Sequence, residues 1–82
     1  MTRLKAAERL MEIVRDVMDV EDLQYDDKIS AADVEGWDSL SHIRLLVAVE
    51  KEFHFRFTSH EVNGLKNLGE MLDVVTQRGT AA

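Results

Sequence analysis

Apolar residues recur at helical spacing along most of this chain, and no proline interrupts them. Leu4, Ala7, Leu10, Met11, Val14, Val17 and Met18 repeat at the three- and four-residue steps of one helix face, which predicts a helix from about Arg3 to Met18. With 82 residues and no cysteine, the chain has material for one small domain with one hydrophobic core. A disulfide framework, a zinc–thiolate site and a cysteine nucleophile are excluded. With no proline to stop them, the helices must be ended by glycine, asparagine or charge.

Residues 19–37 follow as a long connection. A structureless loop of that length is unusual in a compact domain. This one carries apolar anchors of its own at Val20, Leu23, Ile29, Val34 and Trp37, and Ser30-Ala31-Ala32-Asp33 suits a single helical turn. A second helix should open at Asp38 and run to about Phe53. Phe53-His54-Phe55-Arg56-Phe57 alternates as a strand does, but it has no strand to pair with and reads as an extended connector. Thr58 and Glu61 stand at capping-box spacing and open a short helix that Gly64 can end. Asn67 and Glu70 repeat that logic for a last helix with Leu68, Met71, Leu72 and Val75 on its apolar face and Gly79 after its end. The expected fold is all-α: a four-helix bundle with a long first loop and a short third helix, one domain over 1–82 with an ordered core of about 3–78.

The segment Gly36-Trp37-Asp38-Ser39-Leu40 has a chemical meaning. Gly36 permits a tight turn and Asp38 is a preferred N-cap, so Ser39 stands in the first turn of the second helix. Unpaired N–H groups and the positive end of the macrodipole tolerate a phosphate there. The helix has two apolar stripes. Leu45, Leu46, Val49 and Phe53 form the expected core face; Leu40, Ile43 and Val47 lie roughly 130–140° round from it, at about 100° per residue. The second stripe is either a docking surface or a sign that the helix is buried on most sides. His42 falls at the edge of the core face, and Trp37 at N′ is placed to staple against His42 at N4.

The run from Asp38 to Phe53, with Asp38-Ser39-Leu40 at one end and Glu50, Glu52 and Phe53 at the other, resembles the acyl carrier protein family. The resemblance extends over about Leu10 to Val75. It implies that Ser39 is the attachment site of 4′-phosphopantetheine, whose thiol holds an acyl or aminoacyl group as a thioester, and that the protein has no catalysis of its own. It also implies partner docking on the second helix, at Asp38, Leu40, Ile43, Arg44 and Val47, and a position for His42 near the route of an acyl chain into the bundle. The implied partners are a phosphopantetheinyl transferase, a loading ligase for the acyl or aminoacyl group, and downstream transferases. Carriers of primary fatty-acid synthesis show a strongly acidic second helix. Here Ser41 and Arg44 stand where acids are expected and Lys51 interrupts Glu50 and Glu52, which points to a dedicated pathway with its own loading enzyme, and Gly36-Trp37-Asp38-Ser39-Leu40 with His42-Ile43-Arg44 is similar to stand-alone carriers of specialised lipid or secondary-metabolite biosynthesis.

Two other classes fit parts of the pattern. One is an unmodified helical interaction module of the same fold. The other is a small hydrolase using Ser39 and His42, but Trp37 and Ser41 occupy the glycine positions of a G-x-S-x-G elbow, and no oxyanion hole is evident. His54 and His60 do not have metal-ligand spacing. The acids Asp19, Glu21, Asp22, Asp26 and Asp27 lack the order and central glycine of a calcium loop, so no metal is expected. A net charge of −6 disfavours nucleic acid and anionic lipid as partners. No apolar run is long enough to span a membrane, and the start of the chain lacks a secretory h-region. A cytoplasmic monomer is expected.

Overall fold

The computed structural model describes residues 2–79. The expected domain limits, 1–82, take in Met1 and residues 80–82, which lie outside the described residues. The architecture is an all-α bundle of α1 (Arg3–Met18), α2 (Ser39–Phe53), the short α3 (Ser59–Gly64) and α4 (Leu68–Arg78), with a single 3-10 turn at Ala31–Asp33 inside the long loop. The segment after Phe53 is an irregular connector, and no strand forms among the described residues.

Side-chain caps start the helices. Thr2, Asp38, Thr58 and Asn67 each accept a hydrogen bond from the third backbone N–H of the helix that follows. The Thr58–Glu61 box is closed in both directions. The ends are less conventional. Asp19 (φ 56°) and His54 (φ 57°) terminate α1 and α2 in the left-handed region, where glycine or asparagine is the usual choice. Gly64 is the last residue of α3, and Leu65 forms the cap after it.

The core is built from Ala6, Ala7, Leu10, Met11, Val14 and Met18 of α1, Leu45, Val49 and Phe53 of α2, and Leu68, Met71, Leu72 and Val75 of α4, with Val34 from the loop. Three residues of the expected core faces are placed differently, and one of them, Val17, is only partly buried against the core. Leu4 is 71 % exposed. It shares its helix direction with the buried Met11 and Met18 but stands in the first turn, where the exposed Arg3 pairs with Asp27 and Asp73. Leu46 is only half-buried at the edge of the core. It lies about 60° from the centre of the face formed by Leu45, Val49 and Phe53, which is Val49.

The long loop is fastened to the bundle. Val20, Leu23, Ile29 and Trp37 pack partly buried against the core, and the Arg15 guanidinium donates to the Leu23 carbonyl (2.9 Å). The carbonyls of Ile29 and Asp27 accept from the backbone N–H groups of Leu68 (2.8 Å) and Gly69 (3.0 Å), so the loop caps the first turn of α4. Gly69 is required for that approach, because a Cβ there would stand 2.9 Å from the Asp27 side chain and 3.0 Å from its carbonyl oxygen.

Candidate functional site

The turn before α2 sets the site. Gly36 adopts φ 88°, a conformation that favours glycine. Its carbonyl accepts from the Asp38 N–H (3.1 Å) and from the Ser41 hydroxyl (2.8 Å). Asp38 then accepts from the Ser41 N–H (2.9 Å) as N-cap. These bonds tie Gly36, Asp38 and Ser41 together and place Ser39 at the first helical position. Ser39 is exposed, and among the described residues its hydroxyl has no hydrogen-bond partner. By contrast, the hydroxyls of Ser30 and Ser41 are engaged by Asp33 and Gly36.

The Asp38 carboxyl is held below its ordinary value of 3.8, first by the Ser41 N–H, with desolvation opposing and the Leu40 N–H helping less. A carboxyl depressed in the folded state stabilises the fold above its unfolded-state pKa, and that contribution is lost as pH falls through the folded value. A carboxyl-carbon titration should therefore place Asp38 below 3.8. The Ser41 amide should lose exchange protection in the same acid range. A normal Asp38 titration would show that the cap does not form in solution.

His42 does not serve Ser39. No hydrogen bond joins them among the described residues; Trp37 Nε1–H instead donates to His42 Nδ1 (3.2 Å), with the two rings stacked at 6.1 Å and 25°. The N′–N4 staple is thus present, and it has a polar component that side-chain spacing does not reveal. Since indole can only donate, His42 Nδ1 is the acceptor and is not available as a base toward Ser39. The hydrolase arrangement is absent.

The second stripe of α2 is open. Leu40 and Ile43 are each 58 % exposed and Val47 is 43 % exposed, and Asp38 and Arg44 are exposed beside them. The alternative of a helix buried on most sides does not hold. The acids at the far end of α2 have internal partners: Glu50 accepts from the Phe57 N–H (2.8 Å) and fixes the connector, while Glu52 pairs with Arg9 (3.3 Å). Sequence spacing does not disclose either role. Among the described residues Arg44 and Lys51 have no ion-pair partner.

Among the described residues no group of three His, Asp or Glu side chains could hold a metal. No described helix is long and apolar enough to cross a membrane. For a phosphodiester-linked arm the site fits: a free, exposed hydroxyl in the first turn of a helix, beside an open groove lined by Ala31, Trp37, Asp38, Ser39, His42 and Ile43.

Residues 8–75 match the family described as "Phosphopantetheine attachment site". The bundle is also similar to the solution NMR structure of a holo acyl carrier protein from Geobacter metallireducens. The two share 34 % identity and superpose with a TM-score of 0.84, over 89 % of this chain and 84 % of that one.

Proposed function

The chain belongs to the phosphopantetheine-dependent acyl carrier protein family, and on that premise we propose that Ser39 is the residue that bears its arm. The protein carries phosphopantetheine-linked acyl groups and is not an enzyme. When bound, the group supplies a terminal thiol that holds the acyl group as a thioester. The flexible tether keeps that cargo at high effective concentration near successive active sites. Ser39 offers the phosphodiester oxygen, the turn from Gly36 to Ser41 fixes where the arm leaves the fold, and the capped α2 keeps that point rigid.

The observation that carries the assignment is the Ser39 hydroxyl, exposed and unengaged within Asp38-Ser39-Leu40. Incubation with coenzyme A and a phosphopantetheinyl transferase should add one arm by intact mass. Fragmentation should map it to the peptide containing Ser39. An arm mapped to Ser41 or Ser59, the other serines in the first turn of a helix, would overturn the assignment.

The finer reading concerns partners. We propose that Asp38, Leu40, Ile43, Arg44 and Val47 form the docking face, used by the transferase, an acyl- or aminoacyl-loading ligase and downstream transferases of a dedicated pathway. The carrier would act as a cytoplasmic monomer, with residues 1–82 as one domain. Support comes from the charge of the face: its basic groups Arg44 and Lys51 lack internal partners, whereas Glu50 and Glu52 are used within the fold. A partner with a basic patch meets like charge at Arg44, which costs affinity and slows encounter, most of all at low salt. Arg44→Glu should therefore speed malonyl transfer from fatty-acid synthase transferases and slow loading by the cognate ligase. Ser41 should be left in place, since its hydroxyl holds the Gly36 turn. Rates at two salt concentrations measure the effect. A wild type as fast as a housekeeping carrier, with no response to Arg44→Glu, would refute the dedicated-pathway reading alone.

A further inference from the structure

An acyl group on an arm that leaves the fold at Ser39 has two apolar places to go: the wall of the groove beside it, or the bundle interior. The groove is lined by Ala31, Trp37, Asp38, Ser39, His42 and Ile43. Behind it lies a second, smaller space of about 40 Å³, lined by Ala31, Trp37, His42, Leu65, Lys66, Asn67 and Met71. Ala31, Trp37 and His42 border both, so they are the wall between them.

That wall is fastened. Trp37 comes from the loop and His42 from α2, and the indole N–H donates to His42 Nδ1 (3.2 Å) while the rings stack. Parting them would leave a donor and an acceptor to be satisfied elsewhere. Little room would be gained. The space behind is far smaller than the roughly 150 Å³ of an apolar cavity that admits a benzene ring. Met71, which lines this space, and Leu45, Leu68 and Leu72 of the core are all within 1 % of full burial.

Resting on the assignment of Ser39 as the attachment site, we infer that the Trp37–His42 pair is a specificity-determining partition: it keeps the arm-borne acyl group outside the bundle, in the groove over Trp37 and Ile43. The chain is therefore built to display short or compact acyl groups rather than to enclose a long alkyl chain. An extended chain finds no interior to fill, whereas a compact apolar or planar group can lie against the indole and the exposed Ile43 side chain. Trp37 and His42 are positioning residues here, and they take no part in the chemistry of the thioester.

Trp37 is the only tryptophan, so its emission reports the groove directly. The test uses the full chain loaded with free-thiol, acetyl- or octanoyl-phosphopantetheine from the corresponding coenzyme A thioesters, with loading verified by intact mass. In the octanoyl form Trp37 emission should shift to the blue relative to the free-thiol form. The methyl resonances of Leu45, Met71, Leu72 and Val75 should stay where they are. In His42→Ala, which removes the acceptor and opens the wall, the octanoyl form should move the Met71 methyl and lose the emission shift. His42→Asn, which keeps an acceptor near the Nδ1 position, should restore the wild-type pattern. Displacement of the interior methyls in octanoyl wild type overturns the partition, and an unchanged Trp37 emission overturns the groove as resting place. Should His42→Ala fail to fold, the wild-type spectra decide alone. A protein that gains no mass at Ser39 instead refutes the attachment assignment, so the two failures are distinguishable.

Discussion

Replacing Ser39 with alanine should abolish arm attachment completely while leaving the fold intact. The Ser39 hydroxyl makes no hydrogen bond among the described residues and does not cap α2, a role that belongs to Asp38. Its loss therefore removes the nucleophilic oxygen and almost nothing else. Alanine is a good helix former, so the stability change should lie within about 0.5 kcal/mol. Intact mass after incubation with coenzyme A and a transferase reads the loss, and far-ultraviolet circular dichroism reads the fold. Ser41→Ala makes the informative control. It should still accept an arm, but with reduced thermal stability, because the bond from its hydroxyl to the Gly36 carbonyl is gone. A Ser39→Ala protein that still gains one arm would sink the site.

Leu45→Ala should destabilise the bundle by roughly 2–5 kcal/mol, the range for deleting a fully buried leucine side chain and leaving a cavity. Leu45 is 0 % exposed and belongs to the buried core that α1, α2 and α4 share. A domain of this size has only about 5–15 kcal/mol in total, and small domains sit at the lower end, so the change is a large part of what holds it folded. Val47→Ala, on the open stripe of the same helix, should cost less than about 1 kcal/mol. Denaturant midpoints for the two variants measure the contrast. Equal destabilisation would mean that something covers the Leu40/Ile43/Val47 stripe in the folded monomer.

Locally determined features were legible in the sequence. The bounds of α1 and α2, the Asp38 cap, the Thr58–Glu61 box and the apolar face of α4 depend on residues three or four apart, and they stand where the spacing puts them. The open stripe on α2 was visible as a second periodicity, but whether it was covered depended on neighbours that periodicity does not name. Leu4 shows the limit from the other side. Its spacing is right for the core, yet it stays exposed in the first turn, because burial there depends on what the rest of the chain brings over it, and spacing does not say. The left-handed caps at Asp19 and His54 were hidden because both residue types are ordinary helix-flanking residues. At the candidate site, the position of Ser39 in the first turn of α2 was readable. The bond that turns His42 toward Trp37 was not, since side-chain spacing brings two rings together without saying which atom faces which.

The bonds from Leu68 and Gly69 to the carbonyls of Ile29 and Asp27 bear on the order in which the chain assembles. The loop's hydrogen-bonded anchorage at Asp27 and Ile29 belongs to a helix that lies near the other end of the described chain. That anchorage closes a long stretch of chain, and its entropy must be met before the two bonds form. The helices can be built from near-neighbour contacts, whereas the loop waits for α4 to be docked and for Gly69 to let it approach. Seating of the loop is therefore a late event in folding, so weakening it should speed unfolding and leave the folding rate nearly unchanged.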